Sequence, residues 1–393
     1  MKVNISPDVE KRLAEIRADA APRSPTVRVL AAYANHADCN LAALGFAARV
    51  DFDKLLEGTP YQVQFGQSPF AFSRGIAFER MVSARDYAET LNLLRTTMGF
   101  KIEDARTQDL RAKYQSQRLS MGLRANETRE IIRQILLGRP TSYNLVGGAV
   151  LEANIGGISA RFEADALAAR FGGPIHAGEV KSFPVVDGRA DPDKLSAALD
   201  QVSIYILLMR RLVDELGGDP DLVSRIALLI TPTNVGLKPT MSQKDVGTRV
   251  ARSERLLASV PDVTDIARSV PSSLTFNVVA DQRADPGRRA DELHKIADSI
   301  GTSYTPTCLS TCGNAFFCRE RAFRSGSPCL TGPQSSRLLP GISSLNRAAA
   351  LSGGAPPALN EAPVAPLLAR AGRLYDAATK NSRFKSSSQK VAV

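Results

Sequence analysis

Apolar residues along this chain change their period near residue 145. Before it the spacing is helical. Val9, Leu13 and Ile16 recur behind a Ser6-Pro7 start, which predicts a helix over 5–20. A second apolar stretch, V-R-V-L-A-A-Y-A-N-H-A-D-C-N-L-A-A-L-G-F, carries Cys39, and 76–98 and 103–137 read as further helices, the latter with many arginines on its polar side. Past 145 come G-G-A-V-L-E-A-N-I, I-S-A-R-F-E-A-D-A-L-A-A-R and P-I-H-A-G-E-V-K-S-F, segments of period two or continuous apolar character separated by glycines. They fit three adjacent strands of a meander. A helix over 191–216 stopped by G-G-D-P, a buried strand R-I-A-L-L-I-T-P-T and a helix D-V-G-T-R-V-A-R-S-E-R-L-L-A-S-V follow. The pattern predicts the α/β class with a mixed sheet. It divides the chain into a mainly helical region 1–145 with Cys39 and Glu79, a sheet-bearing core 146–300, a cysteine region 301–335 and a C-terminal helical or disordered tail 336–393.

With 393 residues, 44% of them hydrophobic, the chain can bury a sizeable core without disulfide staples. No apolar run approaches bilayer length, and the opening M-K-V-N-I-S-P-D-V-E-K-R-L lacks a signal-peptide core, so a cytoplasmic protein without a membrane partner is expected. The formal charge of +10 favours an anionic partner. The arginine face of 103–137 either tracks phosphates or is a solvated helix face. The basic, serine-rich end K-N-S-R-F-K-S-S-S-Q-K-V-A-V reads as a disordered tail rather than a binding arm. Five cysteines, an odd number, argue against a disulfide framework, and four of them fall between 308 and 329. No phosphate-binding G-x-x-x-x-G-K-(S/T) is present, so no ATPase is expected.

The candidate chemistry lies in A-G-E-V-K-S-F. On a strand, Glu179 and Lys181 share one face while Val180 points to the other. A glycine-proline turn between Asp165 and Glu179 can set their strands side by side, with two carboxylates facing one point and a lysine beside them. Oxygen ligands of that kind suit a hard divalent cation, and the lysine can orient or deprotonate an attacking water. Gln201 and Tyr205 stand one turn apart on the following helix, and Glu79 follows Gly75 in R-G-I-A-F-E-R-M-V, where apolar neighbours are expected to turn it inward.

In this order these residues resemble the PD-(D/E)XK nuclease superfamily, particularly its RecB-like branch: a helix with G-x-x-x-(E/H), a strand with Asp, a strand with (D/E)-x-K, then Q-x-x-x-Y. The resemblance covers residues 70–210. It implies a restriction-endonuclease-like mixed central sheet flanked by helices, with 146–300 as the nuclease core. It further implies that Asp165, Glu179 and the Val180 carbonyl ligate Mg²⁺ or Mn²⁺ and that Lys181 serves the attacking water. Glu79 would complete or support the metal shell, and Gln201 and Tyr205 would hold the DNA strand or the lysine.

The run C-L-S-T-C-G-N-A-F-F-C, with Cys39 far upstream, is similar to the RecB-like nucleases that carry a [4Fe-4S] cluster, including AddB-type subunits and CRISPR-adaptation exonucleases. Their closing run is C-x2-C-x5-C; here it is C-x3-C-x5-C, and Cys329 follows. The resemblance implies Cys39, Cys308, Cys312 and Cys318 as ligands of an iron–sulfur clasp, with a local set ending in Cys329, or Zn²⁺ in place of the cluster, as alternatives. His176 either approaches the metal or is a hydrogen-bonded strand histidine, and His36 either substitutes as a cluster ligand or faces solvent. The function expected is a divalent-metal-dependent DNA nuclease acting on ends or single strands in DNA repair, recombination or antiphage defence, beside a separate helicase or in a larger complex. The alternatives are a catalytically inactive nuclease-fold DNA-binding scaffold subunit and a zinc-stabilised RNA-processing factor.

Overall fold

The computed structural model describes residues 5–20, 22–23, 26–27, 29–30, 39–62, 69–115, 120–139, 143–168, 173–234, 236–332 and 337–381. His36 and the basic terminal residues 382–393 lie outside them. Contacts divide the chain into two units, residues 1–60 with 64–301 and residues 61–63 with 302–393.

The first unit is built on a mixed sheet of six strands flanked by helices. In chain order they are β1 (Thr107–Asp109), β2 (Leu145–Ile155), β3 (Ile158–Ala168), β4 (His176–Val180), β5 (Ile226–Pro232) and β6 (Pro239–Asp245), and they lie side by side in that order. β1 runs parallel to β2 and β4 parallel to β5, while the other neighbours are antiparallel. Gly156 and Gly157, at φ +55° and +92°, make the two-residue turn that joins β2 to β3.

The helices follow from their caps and apolar stripes. In α1 (Pro7–Arg17) Ser6 caps the Val9 amide, and Val9, Leu13 and Ile16 are buried as the spacing predicts. α2 (Asn40–Ala47) begins directly after Cys39. α3 (Pro69–Met98) lays Phe78, Val82, Leu91 and Leu94 on one face of the sheet, against Val180, Leu228 and Ile230. Within it Ala84–Tyr87 leave helical geometry, and Arg85, Asp86 and Tyr87 take positive φ of 52°, 52° and 62°.

Residues 103–137 do not form the single helix their pattern predicts. They hold β1, α4 (Leu110–Lys113) and α5 (Ser120–Leu136). The Asp109 carboxylate is the reason: it accepts from the Arg111 amide at 2.8 Å and the Ala112 amide at 3.1 Å, so it ends a strand and starts a helix at one point. Strand β6 also has no counterpart in the sequence-based expectations.

The parallel pair β4 and β5 needs a crossover, supplied by α6 (Pro192–Glu215) on the other face of the sheet. Asp191 caps it through the Asp193 and Lys194 amides, both at 3.0 Å, with Pro192 in the first turn. α7 (Gly247–Ala258) packs on α6.

In the second unit, α8 (Ala315–Arg324) stacks Phe317 edge-on to Tyr61 at 5.2 Å. α9 (Leu345–Ser352) and α10 (Ala365–Asn381) bracket a Gly- and Pro-rich connection, G-G-A-P-P. Ile342, Leu351, Val364 and Ala365 form a small core there. Arg347 grips Glu361 with two bonds of 2.8 and 2.6 Å. That pairing and the Ala358 amide lower the Glu361 carboxyl to about 2.

Candidate active site

In β3 and β4, Ala166 lies opposite Gly178, a register that sets Asp165 opposite Glu179. Opposed residues of an antiparallel pair share a face, so two carboxylates from neighbouring strands stand on one flank. Main-chain pairing stops at this level. The Val180 amide donates to Asp165 Oδ2 at 3.0 Å instead of to a β3 carbonyl. Because the N–H and C=O of a strand residue point the same way, the Val180 carbonyl faces that flank too.

The β2–β3 ladder opens at the same place. Gly147 pairs with Ala166 and Ala149 with Ala164, skipping Gly148 and Asp165. Gly148 sits at φ +64°, and an added Cβ would lie 2.5 Å from Arg111 Cγ, so only glycine fits. Two arginines take over the released acceptors. Arg124 donates to the Gly148 carbonyl through Nε at 3.0 Å and Nη2 at 2.5 Å, and Arg111 Nη2 donates to the Asp165 carbonyl at 3.2 Å. Both also hold Glu163, at 3.3 Å from Arg111 and 2.7 Å from Arg124, and Arg111 Nη1 comes within 4.0 Å of Asp165 Oδ1. The sequence reading missed Glu163, Arg111 and Arg124. Alternation along F-E-A-D places Glu163 on the face of Asp165 and was a usable signal.

Glu179 is 0% exposed. Lys181 Nζ makes an ion pair with its Oε1, and beyond that pair neither carboxyl oxygen has a hydrogen-bond partner among the described residues. Burial, then the charge of Asp165, push the carboxyl up to about 8, against the opposing pull of Lys181. Burial works against the Lys181 charge, yet Glu179 and Asp165 outweigh it and raise its pKa. Lys181 Nζ donates to Gln201 Oε1 at 3.1 Å, and Gln201 Nε2 donates to the Tyr205 hydroxyl at 2.9 Å. Tyr205 is 2% exposed, too deep to lie against a nucleic acid. Of the two roles open to this pair, holding the lysine is the one the geometry serves.

Glu79 is exposed rather than turned inward, because Phe78 and Val82 take the inward positions of α3. It still senses the cluster: desolvation first and the Asp165 charge second raise its pKa, with Arg111 and Lys181 opposing. Arg74, four residues ahead of Phe78, ties this helix to the strand ends through the Ser182 carbonyl at 3.2 Å and the Gly236 carbonyl at 2.8 Å. His176 is a strand histidine. It is buried, its Nδ1 donates to the Ile226 carbonyl at 3.1 Å, and its ring packs on Phe100.

Cys308, Cys312, Cys318 and Cys329 belong to the second unit, and Cys39 to the first. Cys308 and Cys318 are buried, and both bear on the Tyr304 hydroxyl, whose pKa is raised first by burial. Among the described residues, no group of three or more His, Cys, Asp or Glu stands arranged to hold a metal ion. The site above offers two strand carboxylates instead, which is within the one or two that Mg²⁺ takes from a protein.

No protein-family description matches the chain, and no curated protein does. A crystal structure of SSO0001 is similar over 43% of this chain and 82% of its own, with 15% identity and a TM-score of 0.19. A likeness that low carries no argument.

Proposed function

We propose that this chain is a divalent-metal-dependent nuclease that hydrolyses phosphodiester bonds in DNA at the Asp165–Glu179–Lys181 cluster, on a sheet of the restriction-endonuclease-like kind. The observation that carries the reading is the fully buried Glu179 carboxyl, opposite Asp165, whose Oε1 meets only the Lys181 ammonium and whose Oε2 has no partner among the described residues. Lys181 offsets part of the cost of that burial, but the neighbouring Asp165 charge adds to it, and a bound cation or a proton would compensate the remainder. Asp165 and Glu179 would hold Mg²⁺ or Mn²⁺, with the Val180 carbonyl on the same flank and Glu79 at its solvent side. When bound, the ion would supply charge against the phosphate and acidify the attacking water.

The chain's own residues set the rest. The Val180 amide fixes Oδ2 of Asp165, and Oδ1, 4.0 Å from Arg111, would be the oxygen open to an ion. Tyr205 holds Gln201, and Gln201 holds Lys181. A lysine whose charged form is favoured donates hydrogen bonds, so Lys181 orients the water or the phosphate and does not serve as the base. We also assign the cysteines to a thiolate-held group, a [4Fe-4S] cluster in preference to zinc, since paired C-x2-C knuckles are absent.

The test is cleavage of labelled single- and double-stranded DNA with Mg²⁺ or Mn²⁺ by the wild type and by Lys181→Ala. Cleavage lost in the variant with DNA binding kept supports the enzyme. Metal-independent binding without cleavage by either protein overturns it and leaves the scaffold reading.

A further inference from the structure

On the first unit, two hollows share one wall. One, of about 750 Å³, lies at the break in α3 and is lined by Arg85, Arg95 and Arg106, with Asp86 the lone acid in its wall. The other, of about 560 Å³, runs along α5 and is lined by Tyr114, Leu123 and Ile131 with the amide side chains of Asn126 and Gln134. Tyr143 belongs to both. Each volume falls in the range of about 300–1,000 Å³ typical of ligand sites.

The polar contacts distinguish the two. In the first hollow Arg95 spends Nε and Nη2 on the Ile102 carbonyl, both at 3.2 Å, and Arg106 pairs with Asp104 at 3.0 Å. Arg85 has no hydrogen bond or ion pair among the described residues, and it stands at φ +52° in the left-handed turn. A non-glycine residue in that region is uncommon and strained, and such turns concentrate where a side chain must be presented. In the second hollow the acids are neutralised: Lys113 lies 2.5 Å from Glu127, and Arg133 lies 2.6 Å from Glu130. Tyr114 donates its hydroxyl to Glu127 and carries Lys113 Nζ 5.4 Å from its ring centre, and Gln134 donates to Glu130, so the Tyr143 ring and the Asn126 amide are the groups there without such a commitment among the described residues.

A ligand filling both would carry a negative charge at one end, against Arg85, and be flat, with hydrogen-bonding edges, at the other. We infer that the paired hollows bind a nucleotide unit of a single strand, its phosphate on Arg85 and its base against Tyr143. This deepens the nuclease reading, since the strand held here would be one delivered to Asp165. The hollows also connect to that residue through the fold. Tyr87, at the end of the strained turn, donates to Asp109 Oδ2 at 3.0 Å, and Asp109 caps the helix that carries Arg111.

The experiment measures binding without cleavage. Fluorescence anisotropy of a labelled short oligothymidine is followed with full-length Lys181→Ala protein in EDTA, across a salt series. Adding Arg85→Glu, a change at an exposed side chain whose fold is checked by circular dichroism, should weaken binding at least about tenfold. It should also lower the slope of log affinity on log salt by roughly 0.7, the value for one phosphate contact on a single strand. Tyr143→Ala should weaken binding between about five- and 150-fold, while Tyr143→Phe should stay near the parent. Unchanged affinity in both Arg85→Glu and Tyr143→Ala overturns the inference, as does tighter binding of a phosphotyrosyl peptide than of the oligonucleotide. Binding lost in these variants from a protein whose wild type cleaves nothing would sink the nuclease and keep the strand site. Cleavage by the wild type with normal binding by the variants would do the reverse.

Discussion

Replacing Glu179 with glutamine keeps the shape of a fully buried side chain and removes its ionisation. In the folded protein this carboxyl ionises at about 8, against 4.5 for the free group. A raised carboxyl favours the proton-bearing fold, so its contribution to stability is fully present below 4.5 and is lost as pH rises through 8. At 1.36 kcal/mol per tenfold, the wild type should lose roughly 4 kcal/mol more than Glu179→Gln between about pH 5 and pH 8.5, an order-of-magnitude figure. Lys181 does not cancel this, because its raised pKa keeps it charged throughout that window. At about 2.1 cal/mol/K per residue, the gap amounts to roughly 6 °C in Tm for a unit of this size. Thermal melts of both proteins in EDTA across that range read it directly, as a difference in which titrations away from Asp165, Lys181 and Glu79 cancel.

The same carboxyl links metal to protons. An ion needs Glu179 ionised, so its uptake near pH 7 should release close to one proton from the wild type and none from Glu179→Gln. Calorimetry in two buffers of different ionisation enthalpy counts that proton. Melting curves that stay parallel for the two proteins across the whole range, or a wild type that gains on the variant as pH rises, would refute the reasoning.

Other substitutions probe the supports of the site. Gly148→Ala places a Cβ against Arg111 at a left-handed position and should cost about 1–3 kcal/mol in urea unfolding, whereas a loss below half that figure would show that the opened ladder tolerates a side chain. Tyr205→Phe leaves a Gln201 amide hydrogen unpaired, and should lower kcat by about tenfold with KM near the wild type; equal loss in DNA binding would mean the tyrosine acts on the strand. Cys318→Ser should remove visible absorbance and bound iron and lower Tm together, and a variant with wild-type iron content and melting would take Cys318 out of the ligand set.

How far the sequence reaches depends on the range of each interaction. The E-V-K alternation was legible because period two over a short strand needs no partner, and Val180 indeed joins the α3 core while Glu179 and Lys181 turn to α6. The crossover helix was legible from its Asp-Pro start and Gly-Gly stop. β1 was not, since T-Q-D holds no apolar residue and makes only an edge pairing with Leu145–Gly147. Nor was the break in α3, because S-A-R-D-Y contains neither glycine nor proline and its left-handed turn follows from tertiary contacts such as Tyr87 to Asp109. Gly147 shows the same limit from the other side: an added Cβ would lie 1.7 Å from the Tyr87 hydroxyl, a constraint written sixty residues away in the chain.

The charge balance around the strand carboxylates explains why the arginines matter. Glu163 engages both Arg111 and Arg124, so one carboxylate shares two guanidinium charges; Arg111 still bears on Asp165 and Glu79, and Lys181 is paired with Glu179. With all groups ionised, Glu163, Asp165, Glu179 and Glu79 face Arg111, Arg124 and Lys181, an excess of one negative charge that a proton on Glu179 offsets when no ion is bound. Glu163 thus acts on the ion without touching it, by keeping Arg111 occupied. In Glu163→Gln the guanidinium, already 4.0 Å from Asp165 Oδ1, is free to close on that oxygen and compete for it. Discounted for the partial exposure of the pair, the competition should weaken Mn²⁺ binding about tenfold and raise the folded stability of the ion-free protein slightly. A manganese titration monitored by electron paramagnetic resonance measures the first effect, and Arg111→Lys combined with Glu163→Gln should recover part of the affinity because lysine cannot span both oxygens. If Glu163→Gln binds the ion as tightly as the wild type, Arg111 is fixed by its bond to the Asp165 carbonyl alone, and the balance of charges described here does not govern the site.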